Sequence, residues 1–238
     1  MESASGIQMR HFKVSVILPA YNEEKNICAL LDKTKEVLSS TFSSWEIIVV
    51  DDGSTDRTSS LARSCGVKVI SHGKNQGKGA ALKLGFDKAE GDIIVTMDAD
   101  CSHKPEDIIK LTRLIQGGAD VVTGSRFANG NGEKSTKKLH ILGNNIINAL
   151  ITLATGRTVT DSQTGFRAYR KQAVGAIRLK TNGYQIETEL TVKTLRNGFV
   201  VKEVPIRCSP RNAGYSRLNP LTDGLKIVLT IIKASFED

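Results

Sequence analysis

Three apolar strands that end in carboxylates constrain this chain more than any other feature. VSVILPA (14–20) runs into Tyr21, Asn22, Glu23 and Glu24; EIIVV (46–50) runs into Asp51 and Asp52; GDIIVTMD (91–98) runs into Asp98 and Asp100. Continuous Val/Ile runs suit strands covered on both faces, as in parallel sheets. Helical spacing separates them. Ile27, Leu30, Leu31, Val37 and Leu38 recur at helical intervals, and PEDIIKLTRLIQGG starts on Pro105 and stops on glycines. Such alternation predicts an α/β fold, with a mainly parallel central sheet flanked by helices. Ligands bind beyond the carboxyl ends of the strands of such sheets. All three acidic clusters fall there, so a shared cleft is expected.

The pattern changes after Arg126. Residues 127–138 are rich in Gly, Asn and Lys and read as a mobile loop. An apolar helix follows (139–156), then a polar turn, TDSQTGFRAYRKQAV, leading to a short element. YQIETELTVKTLRNG reads as a helix, FVVKEVPI (199–206) as a strand and 220–235 as a final helix. Neither a linker nor an internal repeat interrupts the chain. With 238 residues, 39% of them hydrophobic, the expectation is a flexible leader over 1–12 and one domain over 13–238.

Several classes of function are disfavoured. The four cysteines form no CxxC pair and fit no common zinc spacing, which points to a reducing compartment. The N-terminus shows no signal peptide. The longest apolar runs, IINALITLA (146–154) and LKIVLTII (225–232), are too short to span a bilayer, though a peripheral membrane protein is compatible with them. The 33 Lys and Arg outnumber 25 Asp and Glu, and the formal charge of +8 favours anionic partners. Only 5% of residues are aromatic and none interleave with the basic ones, so a nucleic-acid surface is not expected.

The clusters themselves leave alternatives open. Asp98 and Asp100 point the same way if the backbone stays extended. They suit a hard cation such as Mg2+ or Mn2+, which takes one or two carboxylates when phosphates supply the rest; they equally suit a solvated strand exit. One of Asp51 and Asp52 reads as a ribose or base ligand, with Asp56 as a helix cap. In NQGKG the glycines would admit a nucleotide and Lys78 would face phosphate; a softened loop with a solvated lysine is the plain alternative. The Walker A pattern and GxGxxG after the first strand are both missing. Arg126, Lys134, Lys137, Lys138, Arg167, Arg170, Arg207, Arg211 and Arg217 suit polyanion binding, part of them simply as solvated charge. His72 and His103 lie beyond strand ends, and loop residues are the plainer reading. No nucleophile sits in a catalytic frame.

PAYNEEKNI, VVDDGSTDRT, NQGKGAAL, MDADCSHKPED, VVTGSRF, DSQTGFRAYR and GYQIETEL stand in one order. Together they resemble the inverting family 2 glycosyltransferases of the GT-A fold. DSQTGFRAYR, EVPI and SRLNPLTDGL narrow the likeness to the polyprenyl-phosphate (dolichyl-phosphate) hexose synthases, over about residues 13–220. The resemblance implies Pro19, Tyr21, Glu23, Lys78 and Ala99 in a nucleotide pocket, with Asp51 on the base or ribose and Asp52 as the near alternative. It implies Asp98 and Asp100 as the acidic metal motif for Mg2+ or Mn2+, with Ser102 as a weaker third ligand. Arg126, Gln163 and Arg167 would meet sugar and phosphates, and 127–141 would be the acceptor loop carrying Lys134. Arg211 and Arg217 would face phosphate; RNAGYSRL departs from the R-x-x-G-x-S-K-L run of relatives at Arg217, where charge is kept but contact geometry changes.

Inverting transfer of a hexose, mannose from GDP-mannose in the first instance, to polyprenyl monophosphate is the implied reaction. UDP-glucose or UDP-N-acetylglucosamine donors and a saccharide acceptor are the alternatives within the enzyme class, and a basic nucleotide or nucleic-acid binding protein is the alternative outside it. The implied partners are a nucleotide-sugar, the lipid phosphate, a membrane surface at the cytosolic face and a membrane-anchoring subunit.

Overall fold

β1 (Val14–Ala20) pairs in parallel with β2 (Trp45–Asp51) on one side and β4 (Ile93–Thr96) on the other. β3 (Lys68–Ser71) adds to β2, again in parallel. Beyond β4 lie β6 (Arg167–Arg170), β5 (Val121–Ser125) and β7 (Val201–Pro205), which completes a seven-stranded sheet of order β3-β2-β1-β4-β6-β5-β7. The computed structural model describes residues 12–128, 138–210 and 220–236. The expected leader, apart from Phe12, and most of the expected acceptor loop, with Lys134 and Lys137, lie outside the described residues, as do Arg211 and Arg217.

β6 is antiparallel to both β4 and β5, while β5 and β7 are parallel. The sequence offers only a polar turn and a short element there. Register explains the reversal: Arg167, the first residue of β6, lies beside Thr96, the last of β4. The loop before β6, DSQTGF, therefore arrives at the same sheet edge as the acidic clusters.

Alternate residues of the strands feed two cores, as a period of two requires. Val14, Val16, Leu18, Ile47 and Val49 pack with α1 (Ile27–Thr41), α2 (Thr58–Ser64) and α4 (Ile108–Gln116). Ile17, Ile48 and Val50 pack with α3 (Lys78–Lys88) and α7 (Ile186–Arg196) on the other face. A short α6 (Lys171–Gly175) follows β6. An outer layer forms where α5 (Lys138–Thr155) and α8 (Pro220–Phe236) join α7 through Ile151, Val192, Leu195, Ile227 and Ile231.

The outward faces of that layer are apolar. Leu142, Ile146 and Leu153 of α5 and Leu225, Leu229, Ile232 and Phe236 of α8 are exposed. The inward face of α5 is partly polar: Asn144 and Asn148 both donate to the Thr160 carbonyl, and Asn148 accepts the Ser162 N–H. Among the described residues no helix is long and apolar enough to cross a membrane.

Candidate active site

A cleft of about 550 Å³ lies at the carboxyl ends of β1, β2 and β4. Pro19, Tyr21, Glu23, Asp52, Lys78, Asp98, Ala99 and Asp100 line it, joined by Asn75, Gly183 and Tyr184, which sequence reasoning did not single out. Two loops interlock to make one wall. The Asn22 N–H donates to Ser54 Oγ, the Thr55 N–H to Asn22 Oδ1, and the Glu23 N–H to Thr58 Oγ1. Asp56 accepts the Thr58 N–H at the start of α2.

The neighbouring carboxylates of β2 divide the work differently from the expectation. Asp51 turns back to accept the Ser54 N–H and is not on the cleft wall. Asp52 is the one on the wall, with its oxygens holding the next loop: Oδ1 faces His72 Nδ1 at 2.7 Å and accepts the Gln76 N–H, and Oδ2 accepts the Gly77 N–H.

The glycines of NQGKG serve a further purpose besides the place of Gly77 on the cleft wall. Gly77 has φ +99°, and a Cβ there would lie 2.4 Å from the Asn182 carbonyl oxygen. The same carbonyl accepts the Ala80 N–H. The glycines thus admit the backbone of 181–183, which leads into α7.

Lys78 consequently meets α7 as well as the acidic motif. Its Nζ is 2.6 Å from Asp98 Oδ1 and 2.6 Å from Glu187 Oε1. Gly165 closes over this contact, since a Cβ there would sit 2.6 Å from Asp98 Oδ1 and 2.7 Å from Lys78 Nζ. Burial alone would lower the Lys78 ammonium; Asp98 and Glu187 outweigh it and hold it above the ordinary lysine range. Burial would raise the Asp98 carboxyl, but Lys78 and His103 bring it well below the carboxylate range. Burial pushes Glu187 up, with Lys78 opposing.

Asp98 and Asp100 reach the cleft without the extended backbone that the sequence argument assumed. The chain turns at Ala99 and Asp100, and Cys101 has φ +62°. Asp100 Oδ1 accepts the Ser102 N–H. Ser102 is not among the lining residues; its carbonyl accepts the Ser209 N–H. The backbone of Ser102, the expected third metal ligand, thus ties the acidic loop to the exit of β7.

His103 is more than a loop residue. It is buried, with Nε2 3.6 Å from Asp98 Oδ2, Nδ1 3.3 Å from Cys208 Sγ, and its ring against Phe166. Burial would lower its pKa, but the Asp98 contact dominates and raises it to about 9. A folded value above the unfolded one of about 6.5 means that the contact stabilises fully below that pH. The contribution disappears as pH rises through about 9. The melting temperature of the native chain relative to His103→Gln is expected to fall between pH 6.5 and 10. Parallel curves would remove the contact from the stability account.

The arginines also separate. Arg126 is clamped by Asp161, with Nε 2.7 Å from Oδ2, a second guanidinium nitrogen 2.8 Å from Oδ1, and its backbone N–H on Oδ2. Asp161 is fully buried, and Glu203 accepts the N–H groups of Thr160 and Asp161. Arg167, expected beside the phosphates, is instead 1% exposed. It donates to the carbonyls of Thr164 and Ser162 and to Thr191 Oγ1, so it shapes DSQTGF from beneath. Gln163 donates to Ser162 Oγ and to Thr188 Oγ1 on α7. Neither Asp161 as the partner of Arg126 nor Glu187 as that of Lys78 was signalled by spacing, because both pairs close only in three dimensions.

The cleft wall fits a hard divalent cation. Glu23, Asp52, Asp98 and Asp100 face it, against Lys78. Among the described residues no three His, Cys, Asp or Glu side chains are grouped so as to hold a metal ion by themselves. An ion at Asp98 and Asp100 would complete its shell with water or phosphate oxygens.

Residues 15–178 match the family described as Glycosyl transferase family 2. The chain belongs to that family. The transferase is 37% identical over 217 residues to the dolichol-phosphate mannosyltransferase of Pyrococcus furiosus, covering 88% of this chain and 60% of that protein. It is 32% identical over 225 residues to the dolichyl-phosphate hexose transferase of Haloferax volcanii, covering 94% and 95% of the two chains. Identity to the polyprenol monophosphomannose synthase of Mycolicibacterium smegmatis is 32% over 216 residues, covering 86% and 80%. The chain thus spans less than two thirds of the Pyrococcus protein and most of the other two. The glucosyl-3-phosphoglycerate synthase of Mycobacterium tuberculosis, solved with Mn2+, UDP and phosphoglyceric acid, shares the fold of the transferase with a TM-score of 0.76 at 21% identity, over 96% of this chain and 80% of that one.

Proposed function

We propose that this glycosyltransferase moves a hexose from a nucleoside-diphosphate donor to a polyprenyl (dolichyl) monophosphate with inversion, and that the first donor to test is GDP-mannose. The observation that carries the choice of acceptor is the engagement of Glu187. A saccharide hydroxyl needs a base, and Glu187 and Glu189 at the front of α7 are two carboxylates beyond the acidic motif that such a role would call on. Glu187 is locked to Lys78, while Glu189 is held by Lys193 and by the Thr181 hydroxyl and N–H. A lipid monophosphate needs no base, because its oxygen is already anionic near neutral pH.

The attacking phosphate oxygen forms the new bond to the anomeric carbon while the bond to the donor diphosphate breaks on the opposite face, so an α-linked donor gives a β-linked product. Asp98 and Asp100 would hold the divalent ion, whose chemistry is to stabilise charge on the leaving diphosphate. Tyr21, Glu23 and Asp52 form the wall against the nucleoside. Arg126, kept in one orientation by Asp161, supplies a fixed fork for phosphate oxygens. The names of the Pyrococcus, Haloferax and Mycolicibacterium relatives support a lipid-phosphate acceptor.

The exposed apolar faces of α5 and α8 support contact with a membrane surface, where such a carrier resides. α5 links the two requirements: its apolar face looks outward, and Asn144 and Asn148 on its other face hold the turn that carries Asp161.

The test is a transfer assay with purified protein, Mn2+ or Mg2+, a short polyprenyl phosphate and a panel of GDP- and UDP-sugars. The expected product is a polyprenyl-phosphate hexose formed from GDP-mannose. Transfer from UDP-glucose or UDP-N-acetylglucosamine alone would reassign the donor. Transfer to free saccharide without lipid phosphate would overturn the acceptor.

A further inference from the structure

The cleft is too acidic for its proposed ligand. Among the described residues its wall presents Glu23, Asp52, Asp98 and Asp100 against Lys78, and Lys78 is already held between Asp98 and Glu187. Glu187 is 3% exposed and outside the lining, so it reaches the cleft only through Lys78. Gly165 covers the contact closely enough to restrict the ammonium from swinging away. We propose that Glu187 is a positioning residue that sets the metal dependence of the donor cleft: it keeps Lys78 as a counter-ion to carboxylates, so that a nucleoside diphosphate binds only with a divalent cation.

The proposal rests on the reading of the cleft as a nucleoside-diphosphate site. Its logic is a formal charge count. Asp98, Asp100 and Glu187 set three negative charges against Lys78, before Glu23 and Asp52 on the same wall are counted. A diphosphate adds further negative charge, which a dication offsets. Removal of Glu187's charge would leave Lys78 with one carboxylate partner, Asp98, and more of its charge for a metal-free diphosphate. A charge at this range in a partly screened site is worth roughly ten-fold in affinity.

Calorimetric titration of GDP and UDP, in chelator and separately in Mn2+, tests this with Glu187→Gln and with the Lys78→Met/Glu187→Gln double variant. The expected results are metal-free binding by Glu187→Gln about ten-fold tighter than wild type, weaker binding of Mn2+ alone, and loss of the metal-free gain in the double variant. A purely structural role would lower the melting temperature and could not tighten binding. Unchanged or weaker metal-free affinity in folded Glu187→Gln overturns the proposal, and so does a gain that persists without Lys78. Wild type that binds neither GDP nor UDP with Mn2+ overturns the donor reading instead. Should the Gln variant fail to fold, Glu187→Ala, which also removes the charge, carries the same expectation.

Discussion

Asp100→Asn is expected to leave the chain folded and to reduce metal-dependent transfer by roughly 10²–10³-fold. The substitution keeps the shape of the side chain and an oxygen at Oδ1, so the Ser102 N–H retains its acceptor. The carboxylate charge that a hard cation requires is lost. Asp98 is less suited to this test, because its replacement also strips Lys78 and His103 of a partner. Circular dichroism and thermal unfolding should match wild type, while the transfer rate at saturating Mn2+ collapses. Near-wild-type transfer would end the metal role of Asp100.

Arg167→Ala is expected to act on stability first, at a cost of about 3–5 kcal/mol. Its guanidinium is 1% exposed, and three of its nitrogens hold the Thr164 and Ser162 carbonyls and the Thr191 hydroxyl. Truncation leaves a cavity and buried acceptors without donors. Denaturant unfolding measures the loss. A variant as stable as wild type but inactive would return Arg167 to the role of phosphate ligand that the family likeness suggests.

Much of the fold was legible because the strands announce themselves. Val/Ile runs that end in Asp51, Asp98 and the Tyr21–Glu24 turn are sheet-covered strands whose carboxyl ends face one cleft, and the sheet order places β2, β1 and β4 side by side. β6 was illegible because four residues, RAYR, carry little pattern, and their antiparallel direction follows from where DSQTGF must arrive. The site was legible to the level of residue type. Pro19, Tyr21, Glu23, Lys78, Asp98 and Asp100 do line one cleft. Asp51 and Arg167 do not line it, because each is turned into hydrogen bonds that support the wall from behind, and Ser102 lies outside the lining as well.

The distinction has a physical reason. Alternation of apolar strands with helices, the acidic strand ends and the motif order depend on neighbours in the chain, and from them the sequence alone determined an α/β glycosyltransferase fold with its cleft at one sheet edge. Which charges face the cleft and which face each other depends on contacts between distant segments. Lys78 and Glu187 are separated by α3, β4 and everything up to α7, yet the glycines of NQGKG let the chain before α7 approach until the two charges meet. Only that packing decided that Lys78 is a counter-ion of Asp98, that Glu187 is engaged by Lys78, and that Asp161 aims Arg126.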